Sequence, residues 1–91
     1  MRIDKFLKAA RLVKRRTVAQ ELVKIGAVRM DGAACKPSSE VLEGRTLEIA
    51  YMTRVLKVKA LCVDEQLLKR PKTTAYEVLE ERRVSPDERP W

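Results

Sequence analysis

Apolar residues recur along the chain with two different periods. Ile3, Phe6, Leu7 and Ala10 stand at i, i+3, i+4 and i+7, the spacing of one helix face. Arg2, Lys5 and Lys8 follow each other three apart on the opposite side. The pattern predicts a helix over 3–10 that buries one face and presents a cationic row on the other. "RLVKRR", 11–16, reads as a connector. Thr17 then reads as an N-cap, and Gln20 three residues later completes a capping box. Val18, Ala19, Leu22 and Val23 continue with helical spacing, and Gly26 suits the left-handed position just past a helix end. A second helix is expected over 18–25.

After Gly26 the period shortens to two. "AVRMDGAACK" alternates around Asp31-Gly32, a dipeptide suited to the positive φ angles of a tight hairpin turn. Pro37, Ser38 and Ser39 stop the second strand early, and Gly44 marks another turn. "TLEIAY" (46–51) and "VLKVKALCV" (55–63) alternate apolar and polar residues and predict two further half-buried strands, with Met52-Thr53-Arg54 turning between them. Residues 64–72 form a polar connection ending at Pro71. "TTAYEVLEERR", 73–83, is expected to be a short helix, with Arg82 and Arg83 at the end where the dipole favours cations. "VSPDERPW" has two prolines and no periodicity, which predicts a mobile tail.

The expected fold is α+β: two N-terminal helices packed on a small, mostly antiparallel sheet, with a short C-terminal helix. Residues 1–63 would form the main unit and residues 64–91 a helical extension and tail. Ninety-one residues suffice for one domain with a thin core. Aromatics are 4% of the chain, so that core is aliphatic. No apolar run reaches the roughly 20 residues of a membrane span, and the basic start lacks the apolar segment of a signal peptide. A cytoplasmic protein without membrane partners is expected.

Charge changes the picture more than length does. Residues 1–30 carry nine Lys/Arg against two Asp/Glu, residues 31–63 five against four, and residues 64–91 six against seven. The first third therefore holds the whole excess of +7. Arg2, Lys5, Lys8, Arg11, Lys14, Arg15 and Arg16 crowd together with Asp4 as their single carboxylate. Like charges so placed repel, and a polyanion relieves the repulsion while releasing its own counterions. Arg15 and Arg16 precede the second helix, whose free N–H groups also attract phosphate. The arginine fork binds phosphate bidentately, so Arg2, Arg11, Arg15 and Arg16 are the strongest candidates, with Lys5, Lys8 and Lys14 supplying diffuse attraction. Asp4 would repel phosphate and is better suited to orienting Arg15 or Arg16.

A DNA-binding helix-turn-helix is the main rival among binding modules. Its recognition helix would be "TVAQELVKIG", which offers few base-reading side chains, and the charge precedes that helix rather than lining it. Gripping backbone and shape suits folded RNA better. Catalysis has no residues to fill its roles: there is no His, no glycine-rich phosphate loop and no paired nucleophile. Cys35 and Cys62, without a CxxC pair, read as packed apolar residues rather than zinc ligands, so neither metal nor cofactor is expected.

"RIDKFLKAARLVKRRTVAQELVKIGAVRMDG" followed by "KPSSEVLEGRTLEI" closely resembles the S4-type RNA-binding domain, which implies an S4-like fold with the αL motif. The resemblance rests on Arg2, Asp4 and Lys5; Arg16, Thr17 and Ala19; Gly26, Val28, Met30, Asp31 and Gly32; then Val41, Gly44, Leu47 and Ile49. It implies RNA contact through Arg2, Lys5, Arg11, Lys14, Arg15, Arg16 and Thr17. Arg45 departs from the family, which often has an acidic residue after this glycine. The whole chain is similar to stand-alone members of ribosome-associated quality control. What that implies is a monomer bound to an obstructed large ribosomal subunit, on 23S rRNA and P-site tRNA. There an RqcH-type tailing factor extends the nascent chain without mRNA. The chain is also similar to the heat-shock-type large-subunit recycling factor, whose C-terminal extension is longer and more basic.

Overall fold

The computed structural model describes residues 1–91. It contains three helices, α1 (Ile3–Ala9), α2 (Arg16–Lys24) and α3 (Glu65–Leu68). Five strands accompany them: β1 (Val28–Met30), β2 (Ala33–Ala34), β3 (Thr46–Ala50), β4 (Arg54–Ala60) and β5 (Tyr76–Arg83). The strands form one antiparallel sheet in the order β2-β1-β3-β4-β5. The fold is α+β with the two leading helices on one face of the sheet, as the periodicities predict.

The core lies between helices and sheet. Ile3, Phe6 and Leu7 of α1 and Ala19 and Val23 of α2 meet Val28, Leu47, Ile49, Leu56 and Val58 from the inward positions of β1, β3 and β4. Phe6 is fully buried, so its truncation to alanine costs about 3–5 kcal/mol. The register places Arg29, Glu48 and Lys57 side by side on the outer face, where their charges alternate.

The first turn of α1 is closed by the chain rather than by a capping side chain. Ile3 N–H donates to Ser39 O at 2.8 Å and Asp4 N–H to Pro37 O at 3.3 Å. The 35–45 connection thus satisfies two orphan donors, and its Val41 is buried. Both long helices end in the same way. Arg11 has φ +63° and Gly26 φ +80°. Each is followed by an N–H that reaches back five residues, Leu12 to Leu7 O at 2.9 Å and Ala27 to Leu22 O at 2.9 Å. These are Schellman closures, one with the expected glycine and one with arginine.

Three local expectations need correction. Thr17 is not an N-cap: α2 starts at Arg16, Arg15 holds the cap position, and no side chain caps it. Gln20 is drawn instead to Asp4 of α1. Residues 73–83, expected as a helix, contain β5, because Tyr76–Arg83 finds β4 as a partner and tertiary pairing overrides a weak helical stripe. The short helix of this third is α3, inside the expected polar connection, and Asp64 caps it by accepting from Gln66 N–H and Leu67 N–H. Nor is 84–91 a loose tail. Val84 is buried, and the Trp91 indole N–H donates to Gly26 O at 3.0 Å with Arg29 over its ring. Cys35 and Cys62 are free thiols just past β2 and β4; Cys62 is buried and Cys35 is partly buried against the core. No helix is long and apolar enough to cross a membrane.

Candidate functional site

Three elements bring the cations of the first sixteen residues onto one surface. Arg2 precedes α1, Lys5 and Lys8 lie on it, Arg11, Lys14 and Arg15 follow in the connector, and Arg16 opens α2. Buried Leu12 and Val13 pin the connector between its charged neighbours, and the Tyr51 hydroxyl donates to Leu12 O at 2.6 Å. The connector's cations therefore point outward from a fixed backbone.

Asp4 organises the cluster from below. It is fully buried, the one charged residue in the core. Its Oδ1 accepts from Lys5 N–H at 2.7 Å, and its Oδ2 accepts from Arg2 Nη2 at 3.1 Å and Gln20 Nε2 at 3.0 Å. Arg16 Nε lies 3.3 Å from the same Oδ2. That nitrogen is buried and makes no directed hydrogen bond, so Arg16 is held to Asp4 by charge. The side chains of Arg2 and Arg16 remain 46% and 40% exposed. Each guanidinium is thus anchored on one side and open on the other, ready for an anion. Burial alone would raise the Asp4 pKa; the Gln20 amide, the Lys5 N–H, Arg16 and Arg2 outweigh it and hold the carboxyl below its ordinary value.

Beside this pair lies an open groove of about 730 Å³ between α1, the connector and α3. Lys5, Lys8, Arg11, Lys14 and Arg16 line it together. Arg2 joins them through Asp4, whereas Arg15 and Thr17 are exposed at the start of α2 without lining the groove. The first turn of α2 has no acidic residue and no side-chain cap, so no side chain of that turn offsets the partial positive charge of its N–H groups.

The far wall is the part of the site that sequence reasoning misses. Glu65, Leu68 and Lys69 of the α3 segment complete the groove, and Lys5 Nζ contacts Glu65 Oε2 at 3.0 Å. Arg70 lines an adjoining hollow with Ala9 and Arg11. The signals were Asp64 as a helix cap and the close spacing of Lys69, Arg70 and Lys72, both masked by the net −1 of the last third. At Arg45, the departure from the expected acid has a local use: Arg45 Nη1 pairs with Asp31 Oδ2 at 2.8 Å, while Thr46 N–H reaches Asp31 Oδ1 at 3.0 Å. These two contacts lower the Asp31 pKa and tie the β1–β2 turn to the start of β3.

The profile of the S4 domain family matches residues 1–47, from α1 into β3. The chain belongs to the S4 domain family. Within it, the chain is 39% identical over 88 residues to the RQC P-site tRNA stabilizing factor of Halalkalibacterium halodurans, covering 97% of this chain and 100% of that one. It is 37% identical over 84 residues to the factor of the same name from Listeria innocua, covering 92% and 91%. The Bacillus subtilis factor of that name is 33% identical over 84 residues, covering 92% and 98%. Among solved structures, the S4 fold aligns with the solution structure of the hypothetical protein HP1423 at TM-score 0.71 and 31% identity, over 88% of this chain and 98% of that one. It also aligns with the trimeric structure of Vibrio cholerae heat shock protein 15 at TM-score 0.75 and 24% identity, over 86% and 80%, a match of fold. The S4 profile stops before α3 and β5, so the second wall of the groove lies outside the matched segment.

Proposed function

We propose that this chain is a non-catalytic RNA-binding factor of ribosome-associated quality control. It binds obstructed large ribosomal subunits, contacts 23S rRNA, and stabilises P-site peptidyl-tRNA while a tailing factor extends the nascent chain without mRNA. It acts as a cytoplasmic monomer. Residues 1–63 form the RNA-binding unit, and residues 64–91 extend its sheet and wall its groove.

The observation that carries this reading is the pair of half-exposed guanidiniums, Arg2 and Arg16, fixed from beneath by the fully buried Asp4. A solvated basic face needs no buried acid to aim its arginines; a surface that grips phosphates at set positions does. Lys5, Arg11, Lys14, Arg15 and Thr17 surround that pair and supply the remaining RNA contacts. The cations lie on α1, the connector and the start of α2 rather than along α2, which suits a backbone-gripping surface better than a major-groove reader. The relatives named RQC P-site tRNA stabilizing factor, matched over most of both chains, support the same partner. The effect on the ribosome is a population shift: the factor favours the P-site position of tRNA by binding that state more tightly.

Co-sedimentation of tagged protein with large subunits tests the reading. The wild type travels with subunits carrying peptidyl-tRNA and is released as salt rises. Arg16→Ala weakens that association about tenfold, the worth of a charge-assisted contact. Unchanged co-sedimentation of the variant refutes the role given to Arg16, and a wild type that stays at the top of the gradient refutes the ribosomal assignment.

A further inference from the structure

The groove contains one element at odds with an anion-binding surface. Glu65 places a carboxylate against Lys5 at 3.0 Å, on the wall opposite α1. It is the single acidic residue among the side chains that line the groove. Its side chain is 49% exposed and that of Lys5 is 42% exposed, so the pair is wet and weak and exchanges readily for another anion. The carboxylate bears on Lys69 and Arg16 as well as on Lys5, and these neighbours lower its pKa, the hydrogen bond from Lys5 most strongly. An exposed anionic oxygen on a groove lysine is also the place that a backbone phosphate takes on a basic protein.

The placement of α3 gives that wall a second property. Glu65 and Lys69 are four residues apart, about one helical turn, and both line the groove together with Leu68. Arg70 follows into the hollow shared with Arg11. Glu65 offsets the charge of Lys5, and the other charged groups of this wall and hollow, Lys69 and Arg70, are cationic.

Resting on the RNA-binding reading above, we infer that Glu65 is a built-in counter-anion that keeps Lys5 occupied until an RNA phosphodiester replaces it. Lys69 and Arg70 then hold the same strand from the far side. The groove is a two-walled channel for one sugar–phosphate backbone, and α3 is part of the binding site rather than a linker. The carboxylate relieves the mutual repulsion of the cluster in the free protein, and it charges a small toll on any anion that brings fewer contacts than RNA.

Fluorescence anisotropy with a labelled, unmodified tRNA transcript, run over a salt series on the full chain, tests this. Glu65→Gln binds the transcript about two- to fivefold more tightly than wild type, the range of one exposed ion pair. Glu80→Gln makes the same change of net charge on the outer face of β5, opposite Lys57. It stays near wild type, because screening confines the effect to the groove. Lys69→Ala with Arg70→Ala weakens binding, and its salt slope is shallower by roughly 0.7–0.9 per lost contact. Equal gains from Glu65→Gln and Glu80→Gln, or wild-type binding by the double variant, overturn the inference and leave the RNA reading standing. Absence of binding by wild type and Glu65→Gln alike overturns both.

Discussion

The side-chain amide of Gln20 on α2 donates to Oδ2 of Asp4 on α1 at 3.0 Å. This hydrogen bond joins the two helices beneath the cationic surface, and it explains why Gln20 does not reach back to cap its own helix. Four groups converge on Asp4: the Lys5 N–H, Arg2, Gln20 and Arg16. All four are donors or cations, so the site requires an ionised acceptor. Asp4→Asn replaces one acceptor oxygen with a donor and is expected to lower stability by about 2–3 kcal/mol. A drop in the urea midpoint at constant m checks this.

The same carboxylate sets the acid limit of the fold. Its folded pKa lies below its unfolded value, so its ionisation stabilises the native state above the unfolded pKa of about 3.9. That contribution is lost as the pH falls through the folded pKa. Asp31 acts in the same direction through Thr46 N–H and Arg45. Stability is expected to be flat from neutral pH down to about pH 5 and to fall below about pH 4. In Asp4→Asn the acid slope is shallower, which a series of thermal melts across pH measures.

Substitutions at Arg11 and Arg16 are both expected to weaken binding, with opposite effects on stability. Arg11 sits in the left-handed region at φ +63°, a position where Gly26 stands at the end of α2. Arg11→Gly relieves that strain and is expected to stabilise the protein by about 0.5–1 kcal/mol while weakening large-subunit binding. Urea unfolding alongside co-sedimentation reads both signs.

Arg16→Ala leaves Asp4 with fewer partners and loses both stability and binding. Lys14→Ala, exposed and without a side-chain hydrogen bond, loses binding alone, with a stability change within about 0.5 kcal/mol. A common loss of stability in both variants would contradict the anchoring role of Asp4.

Trp91 is a structural residue on this reading. Its ring lies under Arg29, 5.2 Å from the guanidinium carbon, and its N–H reaches Gly26 O. It does not line the cationic groove. Trp91→Ala is expected to cost about 1 kcal/mol in stability and to leave RNA affinity at the wild-type level, as paired melts and anisotropy titrations show.

The parts of the molecule that the sequence reveals are those fixed by short-range rules. The i, i+3, i+4, i+7 stripe of α1, the Asp31-Gly32 turn with φ +51° and +78°, and the alternation of β3 and β4 are local patterns, and the fold obeys them. The cation cluster is contiguous in sequence, so its crowding is legible before any fold is known. What escapes is set at long range. Tyr76–Arg83 carries residues of both preferences, and only pairing with β4 decides between them. Gln20 satisfies a capping box on paper, yet a buried carboxylate sixteen residues away is the stronger partner. Lys69 and Glu65 reach the groove because the chain returns to α1 after four strands, which no local window contains.

The pairing of β5 with β4 alone bears on how these molecules coexist. β5 is eight residues long and has β4 on one side only, so its other side is a row of open amides and carbonyls. Such a rim templates further strands, and strand-by-strand growth leads to fibrils. The slip in register at Lys57/Val58 bends that rim, and Glu77, Glu80, Glu81, Arg82 and Arg83 stud it with charge. A neighbouring copy approaching edge-on meets a kinked, charged border, and that border disfavours cross-β pairing between copies.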